Sequence, residues 1–337
     1  STPYGMNQFY KLWSDAENKR NDYVPIDVHW SEVPGRDEEW KEKTIRNTSA
    51  EQFQQEFECE FLGSVNTLIS PAKIKNISFK TPKTSNAGLD VYEDPIKDRT
   101  YVCTVDVARG VLKDYSAFVI LDVSQMPFKV VAKYRNNDIK PLLFPHTIER
   151  VAKAYNHAHV LVETNDLGQQ IAEALQFELE YDNLLMTTNR GRAGQILGAG
   201  FSGRGSGFGV KMTKQIKKIG CANIKTLIES DKIQVNDFNI VEEMSTFVRR
   251  GQSWQAEDGN TDDLMMCLVI FGWLSNQPFF KEMTDTNARQ MLYDEQQHLI
   301  EQDMAPFGFV DDGIPDHEKV TVDEYGDVWH PVTRKGE

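Results

Sequence analysis

Four carboxylates in the 337-residue chain stand where apolar segments begin or end. Asp106 closes the run Tyr101–Val105, Glu163 follows Val160–Val162, and Asp262 and Asp263 open the run that continues to Leu274. A buried carboxylate is expensive unless it meets a cation or a donor. Mg²⁺ wants hard oxygen ligands, keeps several waters and is held by few carboxylates plus substrate phosphate. Two such ions about 4 Å apart can activate a water and stabilise the leaving oxygen of a phosphodiester. Asp114, in Lys113-Asp114-Tyr115-Ser116, stands near enough in sequence to Asp106 to be an accessory acid that supports the ligands.

Each acid also has a plainer reading. Asp262 and Asp263 complement the positive end of a helix, with Thr261 as its N-cap. Asp106 is a strand-end residue bonded to turn amides. Glu163 before Thr164 and Asn165 is less easily explained in that way. The residues one by one leave both readings open; the three sites together, in this order, favour a metal.

The charge is uneven. The chain carries −14, which alone argues against a nucleic-acid partner. Residues 190–218 hold Arg190, Arg192, Arg204, Lys211, Lys214, Lys217 and Lys218 and no acid, a local +7. Residues 281–337 carry −9, leaving −12 for everything else. The basic stretch also contains eight glycines between Gly191 and Gly209. It reads equally as a mobile loop that meets phosphates or as a solvated linker. The first reading makes the acidic total compatible with a DNA path confined to one face.

Other chemistries find little support. Gly198-x-Gly200-x-x-Gly203 fits a dinucleotide fingerprint by chance, in a glycine-saturated stretch with no following acid and no βαβ frame. No GxxxxGK[ST] occurs, so the chain carries no phosphate-binding loop of that type. The seven histidines do not fall at metal spacing, and Cys59, Cys103, Cys221 and Cys267 form no CxxC pair. The cysteines read as reduced thiols of a cytoplasmic protein. No run approaches the ~20 apolar residues a membrane span needs. Trp254 and Trp273 read as core residues.

The elements that must position the acids follow from hydrophobic periodicity. A short helix is expected over 7–13. Another is expected over 45–63, with Thr48 or Ser49 as N-cap and Phe53, Phe57 and Phe61 on one stripe. Residues 76–99, rich in Pro, Lys, Asp and Asn, read as a linker. Strands are expected over 101–107, 117–123 and 128–134, the last with the alternation of an edge strand. A helix over 145–155, a strand over 159–163, a helix over 167–179 and a strand over 183–186 come next. After the basic stretch the pattern gives a helix over 213–230, a strand over 232–235, a helix over 240–248, a strand over 252–257 and a buried helix over 262–274. The acidic tail, 281–337, reads as mostly mobile. Antiparallel strands followed by helix–strand units make an α/β fold, a mixed sheet flanked by helices.

Several stretches together resemble the C-terminal part of a large terminase subunit from T4-like tailed phages. They are STPYG (1–5), QFQQEFECEFLGS (52–64), TVDVARG with DYSA (104–117), VETND (162–166), KKIGCANIKTLIESDKI (217–233) and NTDDLMMCLVIFGWLS (260–275). The resemblance covers about 1–280.

It implies an RNase H/RuvC-like nuclease preceded by a small, mostly helical remnant of a packaging ATPase. The divisions are 1–62 for the ATPase remnant, 63–99 for a linker leading into the nuclease, 100–280 for the nuclease and 281–337 for the tail. Asp106, Glu163 and Asp263 become the catalytic set. Asp262 joins them as a metal ligand, Asp263 being favoured over its neighbour, and Asp114 is accessory. The metal is Mg²⁺ or Mn²⁺. Arg190, Arg192, Arg204, Lys211, Lys214 and Lys217 become contacts to double-stranded DNA. Ser1, Thr2 and Gly5 fall in the coupling motif near the end of the ATPase core. ATP enters only through an ATPase segment upstream, in the same or a split gene; a chain beginning at Ser1 is expected to be a piece of something longer. The other implied partners are the viral portal protein and the small terminase subunit, in host cytoplasm, with transient docking on the procapsid portal. Two rivals remain at this point. One is another RNase H-like enzyme, a junction resolvase or transposase; the other is a non-catalytic module gripping DNA or portal.

Overall fold

The computed structural model describes residues 7–61, 66–107, 115–188, 194–199 and 206–284, with the pairs 321–322 and 328–329. The chain divides into two compact units, Ser1–Ala288 and Arg289–Glu337. In the second, strands Thr321–Val322 and Val328–Trp329 pair antiparallel. The rest of the predicted mobile tail from 285 onward lies outside the described residues.

The first unit begins with helices. α1 (Gln8–Glu17) is capped by Asn7, α2 (Glu38–Asn47) by Asp37 and α3 (Ala50–Glu56) by Ser49, whose hydroxyl accepts from the Gln52 amide at 3.0 Å. The single helix expected over 45–63 is therefore two pieces, with the first turn of that span belonging to α2. α3 stops before Phe57. Phe53 and Phe57 pack with Trp40, whereas Phe61 lies past the helix and packs against Phe9 and Tyr10 of α1. A stripe at helical spacing is thus divided between two aromatic clusters. α4 (Pro71–Lys75) follows, with Pro71 in its first turn.

The presumed linker over 76–99 contains a hairpin, β1 (Thr84–Asn86) and β2 (Leu89–Val91). Strands β3 (Tyr101–Asp106), β4 (Ser116–Asp122) and β5 (Phe128–Asn136) form an antiparallel meander. Helix α5 (Phe144–Ala154) leads to β6 (His159–Val162), which runs parallel to β3. Helix α6 (Gly168–Glu173) continues into a wider π turn at Ala174–Glu178. The main sheet has the order β1-β2-β5-β4-β3-β6. β5 is not at an edge. Its outer side carries β2, and later β10 (Ile233–Gln234), and Lys133 on it pairs with Asp90 of β2 at 3.0 Å.

Part of the basic glycine-rich stretch is regular structure. β7 (Leu185–Thr188) is flanked by β8 (Gln195–Ala199) and β9 (Ser206–Phe208) in a small antiparallel sheet. Backbone pairing with β7 supplies the order that composition did not reveal. Arg190, Arg192 and Arg204 lie outside the described residues. Then come α7 (Lys214–Glu229), capped by Thr213, β10, and α8 (Phe238–Thr246). β11 (Phe247–Arg250) and β12 (Ser253–Ala256) make a hairpin, and α9 (Asp263–Leu274) is buried all round. The helix expected over 240–248 thus ends two residues early, its last residues starting β11.

The sheet is covered on both faces, so its strands read as apolar in succession. Val102, Val119, Leu121 and Leu161 point to the layer of α7, α8 and α9. Cys103, Val105, Phe118 and Val162 point to α5 and α6. α7 and α9 touch backbone to backbone: a Cβ on Gly272 would come within 2.4 Å of the Gly220 carbonyl, and one on Gly220 within 2.3 Å of the Val269 carbonyl. Trp273 is fully buried and Trp254 partly so, both packed on this core. Among the described residues no helix is long and apolar enough to cross a membrane.

Candidate functional site

The parallel register of β3 and β6 pairs Val105 with Val162. One step further, Asp106 and Glu163 leave adjacent strands side by side. The Glu163 amide donates to the Val105 carbonyl at 2.9 Å, which holds the glutamate backbone against β3. α6 then starts so close that a Cβ on Gly168 would sit 1.8 Å from the Glu163 carbonyl, so only glycine fits there.

Asp263 comes from the other layer. It is the first residue of α9, 8% exposed, and its Oδ1 accepts from the Tyr115 amide at 3.3 Å. Asp262, not Thr261, is the N-cap residue, and its side chain does not cap the helix. Its Oδ2 instead accepts from the Ala256 amide at 3.3 Å.

The electrostatics mark this cluster as costly when empty of cations. Burial first, then the charges of Glu163, Asp263 and Asp262, push the Asp106 carboxyl well above its ordinary range. Burial pushes Glu163 up to about 7, with Asp262 and Asp166 adding to it. Lys217, in the first turns of α7, pulls both back, and a hydrogen bond from Asp106 stabilises the Glu163 anion. Both carboxyls are therefore held above their ordinary range by burial and by each other's neighbourhood of acids. Glu163 Oε2 is buried and has no hydrogen-bond partner. Among the described residues, no three His, Cys, Asp or Glu side chains close into a ready-made cage for an ion. Hard oxygen donors, carboxyls raised by burial and an unsatisfied carboxylate oxygen nevertheless fit a divalent ion.

Of the other predicted residues, Lys211 lines a cavity of about 480 Å³ together with Thr164, Asn165, Gln169 and Phe208, next to Glu163 in the chain. Lys214 is exposed at the start of α7. Lys217 lowers the Asp106 and Glu163 carboxyls electrostatically, and its ammonium lies 5.6 Å from the centroid of the Phe247 ring. Ser1, Thr2, Gly5 and Asp114 lie outside the described residues. Sequence reading missed Arg135 and Glu243, which stand behind Asp263; no motif or spacing marks either one.

Residues 103–269 match the family described as "Terminase RNaseH-like domain". The mixed sheet flanked by helices that they build has the RNase H-like terminase nuclease fold. The matched span opens within β3, just before Asp106, and closes within α9, so it contains every acid of the cluster. The chain is 23% identical over 292 residues to the "Terminase, large subunit" of Thermus virus P23-45, covering 80% of this chain and 53% of that protein. It thus spans about half the length of the curated relatives it matches. Crystal structures of the large terminase nuclease from thermophilic phage G20c are also similar. The form with bound magnesium is 20% identical, with a TM-score of 0.48, covering 62% of this chain and 97% of that one. The form with bound cobalt is 21% identical, with a TM-score of 0.47 and coverage of 62% and 97%.

Proposed function

We propose that this chain carries the metal-dependent endonuclease of a viral DNA-packaging terminase of the T4-like kind, cutting concatemeric double-stranded DNA during genome packaging. The observation that carries the reading is the convergence of the buried pair Asp106–Glu163, on adjacent strand ends, with Asp262 and Asp263 at the start of α9, within the span that matches the terminase RNase H-like family.

Asp106, Glu163 and Asp263 would hold Mg²⁺ or Mn²⁺, with Asp262 as a further ligand. Bound there, a pair of ions supplies the Lewis-acid chemistry of phosphodiester hydrolysis, activating water and offsetting charge on the leaving oxygen. The protein's part is to keep these oxygens convergent and largely shielded from bulk water. Lys217 lowers the cost of ionising Asp106 and Glu163 and faces the place where a phosphate would arrive. Lys211, Lys214 and the arginines 190, 192 and 204 would hold the DNA backbone without reading bases. Asp114 would support the ligands from the loop after β3.

The remaining assignments belong to the same reading. Residues 1–62 would be the end of a packaging ATPase domain, with Ser1, Thr2 and Gly5 in its coupling motif. Residues 63–99 would link it to a nuclease over 100–280, and 281–337 would be an acidic tail. ATP, the portal protein and the small terminase subunit would act through the larger protein, in host cytoplasm and transiently at the procapsid portal.

Plasmid nicking in Mn²⁺ tests the reading. The parent chain is expected to nick, and Asp106→Ala and Glu163→Ala to abolish nicking; equal cutting by these variants would overturn it. Strong preference for four-way junctions over linear duplex would point to a resolvase instead. No shift in melting temperature with Mn²⁺ would point to a non-catalytic module.

A further inference from the structure

Glu243 is 3% exposed, on the last turns of α8, and it lies within electrostatic reach of Asp262 and Asp263. By residue type alone it would count as another metal ligand. Its oxygens are already committed. Oε2 accepts from the Met265 amide at 2.9 Å, in the first turn of α9. Oε1 accepts from the Thr261 hydroxyl at 3.2 Å and faces Arg135 Nη2 at 3.4 Å.

α9 needs this. The first amides of a helix have no partner within it, and the N-cap residue usually supplies one. Asp262 does not, because its carboxylate is turned to Ala256. Glu243 therefore caps α9 from another helix, so the Met265 amide is met without Asp262 or Asp263, whose carboxylates accept from Ala256 and Tyr115.

Arg135 ties the other end. From β5 its Nη2 donates to the Thr261 hydroxyl as well as pairing with Glu243. Its guanidinium lies over the Tyr115 ring, 4.0 Å from the centroid. The Tyr115 amide is the donor to Asp263 Oδ1. A closed circuit results: Asp263, Tyr115, Arg135, Glu243, the first turn of α9, and Asp263 again. A buried ion pair is a poor way to gain stability, since well-packed apolar side chains often do as well or better. It is a good way to hold one orientation, because both charges lose heavily if either moves.

We infer that Arg135 and Glu243 are positioning residues that set the backbone and carboxylate of Asp263 for metal binding, and are not ligands themselves. This rests on the metal-dependent reading above.

The test uses the full 337-residue chain. Mn²⁺ binding is measured by calorimetry, and nicking is measured against Mn²⁺ and against DNA concentration. Arg135→Ala and Glu243→Ala are expected to raise the half-saturating Mn²⁺ about 10- to 100-fold, the usual effect of losing a residue that orients a ligand. Turnover should fall with it, while the DNA concentration at half-maximal rate changes less than about twofold. Glu243→Gln keeps an acceptor for the Met265 amide and should recover most of the Mn²⁺ affinity. If the alanine variants do not fold, Thr261→Val, which removes only the hydroxyl shared by Arg135 and Glu243, carries the same expectation at smaller size. Unchanged Mn²⁺ dependence in the folded variants would overturn the inference. A parent chain that neither binds Mn²⁺ nor nicks would sink the metal-dependent reading itself, a distinguishable result.

Discussion

Asp106 and Glu163 stand side by side because Val105 and Val162, the residues before them, are register partners in a parallel strand pair, and burial raises both carboxyls. The relationship is set by backbone hydrogen bonds, so it exists before any metal arrives. Amide variants keep the shape but remove the anionic ligand. Asp106→Asn and Glu163→Gln should each lower Mn²⁺-dependent nicking by about 10³-fold, since a lost ligand forfeits several kcal/mol of charge stabilisation. Melting temperature should stay level or rise, measured by scanning calorimetry without metal.

The same pair predicts a pH dependence. Burial raises the Glu163 carboxyl from its ordinary 4.5 to about 7, so the folded state binds a proton more tightly than the unfolded chain. Stability from this group is fully present below about pH 4.5 and is lost as pH rises towards about 7. Metal-free protein should therefore melt progressively lower across that window, by about 2–4 °C for each kcal/mol lost in a domain of this size. Glu163→Gln should flatten the trend, and saturating Mn²⁺ should abolish or reverse it. A metal-free melting profile identical in parent and Glu163→Gln would contradict the assignment.

DNA binding should depend steeply on salt. Each phosphate contact adds about 0.9 to the slope of log affinity against log salt on duplex DNA. Lys211→Ala and Lys214→Ala should each reduce that slope by about 1 without changing sequence preference, measured by fluorescence anisotropy in Ca²⁺ or without metal. Lys217→Ala should differ in kind. Its ammonium serves Asp106 and Glu163, so its loss should lower turnover as well as binding.

The crossing of α7 and α9 leaves no room for a methyl group. Gly272→Ala would place a Cβ 2.4 Å from the Gly220 carbonyl and 2.9 Å from the Ile224 amide. Forcing the two backbones apart should cost about 1–3 kcal/mol, read from urea unfolding. The shift should also weaken Mn²⁺ binding, because α9 begins at Asp263.

Much of this molecule is legible along the chain. Runs such as Tyr101–Val105 and Val160–Val162 are buried at every position because two helical layers cover both faces of the sheet, and a carboxylate of the cluster follows each run. The hairpin β1–β2 was hidden in a polar, Pro-containing stretch, since its pairing partner β5 is more than 40 residues away. Phe53, Phe57 and Phe61 satisfied a helical period that the backbone does not follow past Glu56. The basic segment looked structureless because glycines signal freedom locally, while β7 orders part of it from outside.

Local residue order determined the types of ligand available, the strand and helix ends on which they sit, and the uneven charge. It did so because hydrophobic periodicity and end-of-element placement are properties of neighbours. The convergence of three such ends, the raised carboxyls of Asp106 and Glu163, and the bracing of Asp263 by Glu243 and Arg135 were decided only by the tertiary structure. Those depend on strand register and helix packing between residues 18 to 157 positions apart, and on a desolvation that no residue creates for itself.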